Sequence, residues 1–132
     1  LAGLRVGYMM GSAEVIGLLN RVRQPFNVNL PALAAAEAAL DDADFVQRTR
    51  EVNATGLAQL AAGLTALGYE YIDGKANFLA AKIPDADALF TRLQKAGVIV
   101  RPLRGYGMVG WLRLTVGTSA QNARLLAELA QR

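Results

Sequence analysis

The order of elements from residue 69 onward limits the fold more than any other feature of the chain. Residues 69–72 read as a strand, Asp73-Gly74 as a turn, and NFLAAKI (77–83) as a second strand. Pro84-Asp85 opens a helix with Ala86, Leu89, Phe90 and Leu93 on its buried side, and Gly97 ends it. A strand over 98–101, a glycine-rich connection and a strand over 111–116 follow. A last helix is capped by Thr118 or Ser119 and turns Leu125, Leu126 and Leu129 inward. Strand, strand, helix, strand, strand, helix is the pattern of an α+β (α/β) layer, with helices packed on one face of a small mixed sheet.

The first part of the chain does not belong obviously to that layer. Residues 4–10 alternate like a short strand, and Ser12 is a plausible N-cap for a helix over 13–23 carrying Leu18, Leu19 and Val22 on its apolar face. RQPFNVN (23–29) reads as a loop with a buried Phe26. A helix is expected from Pro31 through the alanine-rich run to Leu40. Asp42 or Asp44 caps a third helix over about 44–67, where Leu57, Leu60, Leu64 and Leu67 form one stripe and Gly68 makes the stop.

Composition removes several classes of function. The chain has 132 residues, 53% of them apolar, which suits one domain with a real core. Its charge of +3 comes from 14 basic and 11 acidic residues, scattered without a basic run, so no nucleic-acid partner is expected. Cysteine and histidine are both absent, which excludes disulfides, thiolate nucleophiles, Ser–His–Asp triads and nearly all transition-metal sites. No metal site and no membrane partner are expected. No apolar run reaches the roughly 18 residues of a membrane span, and LAGLRVGYMMG is not a signal peptide. The abrupt opening without methionine reads as that of a fragment or processed piece.

Against this background three arginines stand out. In WLRLTVGT (111–118), alternation puts Leu112, Leu114 and Val116 on one face and Trp111, Arg113 and Thr115 on the other. In VIVRP (98–102), Val98 and Val100 oppose Ile99 and Arg101. Arg5 sits in the strand-like LAGLRVGY. An unpaired buried guanidinium costs several kcal/mol, so each arginine needs an anion or open water. Two readings stay open: surface charges or salt-bridge partners, or forks that recognise carboxylate or phosphate. The glycines of GYGMVG permit close ligand approach. Tyr8 and Tyr106 read as packing residues, Asn77 as a turn residue, and Lys75, Lys82 and Lys95 as surface charges.

Taken together, LAGLRVGY, RQPFNVN, ANFL, VIVRPLRGYG and WLRLTVGT resemble, in order and approximate spacing, the C-terminal part of the histidinol-phosphate aminotransferases. These are pyridoxal-phosphate (PLP) enzymes of the aspartate-aminotransferase fold type, and the resemblance covers essentially the whole chain. It implies that residues 1–30 are the end of a large PLP-binding domain (strand, helix and PFNVN loop) and residues 31–132 a small C-terminal domain. It implies that Arg5 contacts the cofactor phosphate, that Arg113 clamps an anionic group of the substrate, and that Arg101 lies near the substrate's distal end. The family's Schiff-base lysine lies upstream of Leu1, so no catalytic residue is assigned and the chain alone is expected to be inactive. The implied reaction converts L-histidinol phosphate and 2-oxoglutarate to 3-(imidazol-4-yl)-2-oxopropyl phosphate and glutamate, in a cytoplasmic homodimer that serves histidine biosynthesis. The alternatives are an aromatic-amino-acid aminotransferase, a threonine-phosphate decarboxylase-like enzyme, or a non-catalytic anion-binding α+β module.

Overall fold

A computed structural model describes residues 2–131. The chain divides into two units, Leu1–Val46 and Gln47–Arg132.

The first unit holds a 3-10 turn at Ala2–Leu4 and two helices, α1 (Ala13–Val22) and α2 (Leu30–Leu40). Both helices begin where a short polar side chain can replace the missing backbone acceptor. Ser12 Oγ accepts from the Val15 amide at 3.4 Å, and Asn29 Oδ1 from the Ala32 amide at 2.9 Å. Pro31 then sits in the first turn of α2, where its missing N–H costs nothing.

Two expectations fail in this unit. The strand over 4–10 is not formed, because a strand is held by its ladder and no strand among the described residues pairs with this segment. Phe26 is not buried: it is fully exposed, in a left-handed backbone conformation at φ 53°. Leu18, Leu19 and Val22 are exposed as well, and Ala32 is the one buried side chain among the described residues of the unit.

Helix α3 (Ala43–Ala66) starts at Asp42, whose carboxylate accepts from the Phe45 amide at 2.9 Å, and runs on into the second unit. Gly68 follows it at φ 74°, the left-handed stop that glycine supplies without strain. Then come β1 (Glu70–Ile72), β2 (Phe78–Lys82), α4 (Ala86–Lys95), β3 (Arg101–Pro102), β4 (Trp111–Thr115) and α5 (Ser119–Ala130). The expected β3 over 98–101 is shorter and later. The Val98 amide is already spent on Leu93 O at 2.8 Å, closing the end of α4. Val98 and Val100 still turn inward as alternation predicts.

The strand order is β1-β2-β4-β3 and every pairing is antiparallel, so the sheet is not mixed. The reason is connectivity. The crossover through α4 makes β2 and β3 parallel to each other, but β4 inserts between them and runs the opposite way. One face of the sheet carries Leu79, Ala81, Leu112 and Leu114. It packs on Leu60 and Leu64 of α3, Leu93 of α4, and Leu125 and Leu129 of α5. Burying each such leucine contributes about 1.5–3 kcal/mol, and these side chains make the core of the unit. The helix-covered face is therefore the one that alternation assigned to Leu112 and Leu114.

Candidate functional site

The face of the sheet opposite the helices is where the charges gather. Register places Phe78 beside Thr115, Ala80 beside Arg113, Lys82 beside Trp111, and Arg113 beside Arg101. Directly opposed residues share a face with their Cβ atoms about 5 Å apart. The two arginines singled out in the sequence, twelve positions apart, are thus immediate neighbours.

Their surroundings differ from those of the third cation on this face. Lys82 Nζ pairs with Glu70 Oε2 at 3.1 Å. Neither Arg101 nor Arg113 has a carboxylate partner among the described residues. Arg113 is half-buried, its guanidinium carbon lies 5.0 Å from the centre of the Phe78 ring, and its Nε is buried without an acceptor. A buried donor left unmade costs about 1–3 kcal/mol. Arg101 is exposed, lies 5.5 Å from the Tyr106 ring centre, and donates from Nη2 to the Tyr106 hydroxyl at 2.8 Å.

The connection between β3 and β4 sets this geometry. A 3-10 turn at Arg104–Tyr106 is closed by Gly107 in the left-handed region at φ 78°, and it returns Tyr106 alongside Arg101. Tyr106 is therefore no packing residue; it is 65% exposed. Tyr8 is exposed too. Phe78 and Tyr106 are the residues that reasoning from sequence missed. Phe78 shares the parity of Lys82 along β2, a signal that places it on one face but does not say which side chain of β4 it meets.

Arg5 belongs to the first unit. It follows the 3-10 turn at φ 57°, a conformation that L side chains adopt at a cost of order 1–3 kcal/mol. It is exposed, and among the described residues its guanidinium makes one hydrogen bond, from Nη1 to Ala2 O at 3.2 Å. Most of its donor fork is unspent. Lys75, Lys82 and Lys95 are exposed, as expected of surface charges. Among the described residues no cluster of acidic side chains could hold a metal, and no helix is long and apolar enough to cross a membrane.

Comparison with known proteins gives a consistent result. The family model described as aminotransferase class I and II matches residues 1–129. The chain is 55% identical over 131 residues to histidinol-phosphate aminotransferase 1 of Thiobacillus denitrificans, covering 99% of this chain and 34% of that protein. It is 50% identical over 132 residues to histidinol-phosphate aminotransferase 2 of Pseudomonas aeruginosa, covering 99% and 36%. Among solved structures, a mutant Thermus thermophilus aspartate aminotransferase superposes with a TM-score of 0.79 at 30% identity, covering 99% of this chain and 39% of that one. The histidinol-phosphate aminotransferase of Sinorhizobium meliloti in complex with pyridoxal-5'-phosphate shares the fold, with a TM-score of 0.84 at 24% identity, covering 99% and 37%. The chain spans about a third of the length of the curated relatives it matches.

Proposed function

Because the chain belongs to the aminotransferase class I and II family, we propose that it is the C-terminal part of a PLP-dependent transaminase acting on L-histidinol phosphate and 2-oxoglutarate. The products are 3-(imidazol-4-yl)-2-oxopropyl phosphate and glutamate, a step of histidine biosynthesis carried out by a cytoplasmic homodimer. Residues 1–30 are the end of the cofactor-binding domain and residues 31–132 the small domain. The observation that carries the substrate side of this reading is the cross-strand pairing of Arg101 with Arg113 on the face opposite the helices.

Two guanidinium forks side by side suit one anionic group better than two distant ones. A phosphate monoester on the amine and a carboxylate on the oxo acid both offer oxygens to such a pair, and Arg forks bind either. One site can then take both substrates in turn. The half-buried Arg113 holds one side of the bound anion, while Arg101, exposed and hydrogen-bonded to the Tyr106 hydroxyl, meets it from the solvent side.

The residues present also fit the cofactor's phosphate. Arg5 offers an exposed guanidinium, most of whose donors have no partner among the described residues, which suits a dianion. PLP, when bound, supplies the electron sink for the α-carbanion. What this chain's own residues contribute is binding and orientation. None of Lys75, Lys82 and Lys95 lies in a site that would activate it. The 132-residue chain, incubated with PLP, reduced and weighed, should show no adduct selective for one lysine.

The test is kinetic, on the full-length protein that carries this chain. Histidinol phosphate should be the preferred amine over phenylalanine and threonine phosphate. Arg113→Lys should raise KM for histidinol phosphate by about tenfold or more, since a point charge replaces a bidentate fork. Preference for phenylalanine, or an unchanged KM in Arg113→Lys, would overturn the assignment.

A further inference from the structure

We propose that Phe78 and Tyr106 are positioning residues of the two-arginine clamp, each carrying one guanidinium on its ring so that two like charges in cross-strand register aim their donors at one bound anion. The proposal rests on the reading of Arg101 and Arg113 as anion ligands.

The physical problem is that two adjacent cations repel and two long side chains wander. Like charges directly opposed across strands are destabilising, and each arginine carries about 2 kcal/mol of rotamer entropy. Left alone, the pair would splay apart. A carboxylate placed between them would hold them, as Glu70 holds Lys82 on the same face, but it would also neutralise the charge an anion needs. The structure uses neutral groups instead. The Arg113 guanidinium rests 5.0 Å from the Phe78 ring centre, and the Arg101 guanidinium 5.5 Å from that of Tyr106, both within cation–π range.

Each rest is built by the local fold. Phe78 lies two positions along β2 from Ala80, the direct partner of Arg113. The small side chain at Ala80 leaves the Arg113 stem room to lie back toward the phenyl ring. Tyr106 reaches Arg101 from the 3-10 turn, and its hydroxyl accepts from Arg101 Nη2 at 2.8 Å. That bond fixes the rotation of the fork in its plane, which stacking alone leaves free. Neither aromatic removes positive charge, so the pair remains available to a dianion.

The experiment is a titration of the isotope-labelled 132-residue chain with inorganic phosphate, followed through the arginine Nε–Hε resonances. In the wild type the Arg113 signal should carry a ring-current shift and move saturably with phosphate, and Arg113→Lys should abolish the saturable binding. Phe78→Leu should erase the ring-current shift and weaken phosphate binding by about threefold to tenfold, with Phe78→Tyr restoring both. Tyr106→Leu should weaken it by a similar factor, with Tyr106→Phe between it and wild type. A wild-type chain whose arginine signals ignore phosphate overturns the clamp itself. Wild-type affinity in Tyr106→Leu and Phe78→Leu, with Arg113→Lys no longer binding saturably, overturns only the positioning roles. Should Phe78→Leu fail to fold, Tyr106→Leu decides, because Tyr106 sits exposed on a turn.

Discussion

Arg101 and Arg113 are direct cross-strand partners on β3 and β4, two cations set side by side with no carboxylate between them among the described residues. Such a pair works against the anion-free sheet by about 0.2–1 kcal/mol and in favour of the anion-bound one. The two states should respond to Arg101→Ala with opposite signs. Without phosphate, the variant should melt at the wild-type temperature or slightly above it. The rise in melting temperature that phosphate produces in the wild type should shrink or vanish. Thermal melts with and without phosphate read both quantities; a lower anion-free melting temperature with an intact phosphate response would contradict the arrangement.

Helix α3 comes close to the end of β4 and to α5 at two glycines. An added methyl at Gly56 would collide with Cγ1 of Val116, a branched side chain with few ways to yield. One at Gly63 would meet the methyl end of Leu126, which is only partly buried and can change rotamer. Gly56→Ala should therefore destabilise by about 1–3 kcal/mol. Gly63→Ala should be nearer neutral, since the gain in helix propensity of about 1 kcal/mol offsets the repacking. Urea denaturation of both variants tests the contrast, and equal losses would show that Val116 yields as readily as Leu126.

Asn122 is the one buried polar residue among the described residues of the second unit, at 1% exposure. Its Oδ1 accepts from the Gly117 amide at 2.9 Å and its Nδ2 donates to Gln59 Oε1 at 3.2 Å, tying the start of α5 to the end of β4 and to α3. Asn122→Ala leaves both partners unmet and should cost about 1–3 kcal/mol. Asn122→Asp keeps the acceptor and loses the donor, so it should suffer further at neutral pH, where a buried carboxylate lacks a counter-charge. Amide exchange at Gly117 should speed up in the alanine variant and stay slow in the aspartate variant wherever that variant folds.

The first unit leaves Met10, Val22, Phe26 and Leu30 largely exposed, each at 77% or more. Apolar surface of this kind drives association when no partner covers it. The 132-residue chain should therefore self-associate as its concentration rises, and Phe26→Ser should reduce the effect. Sedimentation across a concentration series measures it; a clean monomer throughout would contradict the expectation.

Much of this was legible in the residues. Ser12 marked one helix start, and of the pairs Asp42 or Asp44 and Thr118 or Ser119 the structure uses Asp42 and Thr118, the latter in a reciprocal box with Gln121. Alternation in WLRLTVGT put Leu112 and Leu114 against the helices and Arg113 on the opposite face. Two of the failures share one cause. The segment over 4–10 has a strand's alternation but no ladder partner among the described residues, and Val98 has its amide taken by α4, so neither follows its local pattern. Tyr106 read as a packing residue because aromatic character alone does not distinguish a core ring from one lying under a guanidinium.

By itself the sequence determined where most helices begin and which face of each strand is oily, because capping and alternation act over a few neighbouring residues. Only the tertiary structure decided that β4 enters between β2 and β3, bringing Arg113 beside Arg101 on one side and, along β2, over Phe78 on the other. The reason is that register between strands separated by ten to thirty residues is set by how the whole core packs. No short stretch of either strand carries that information.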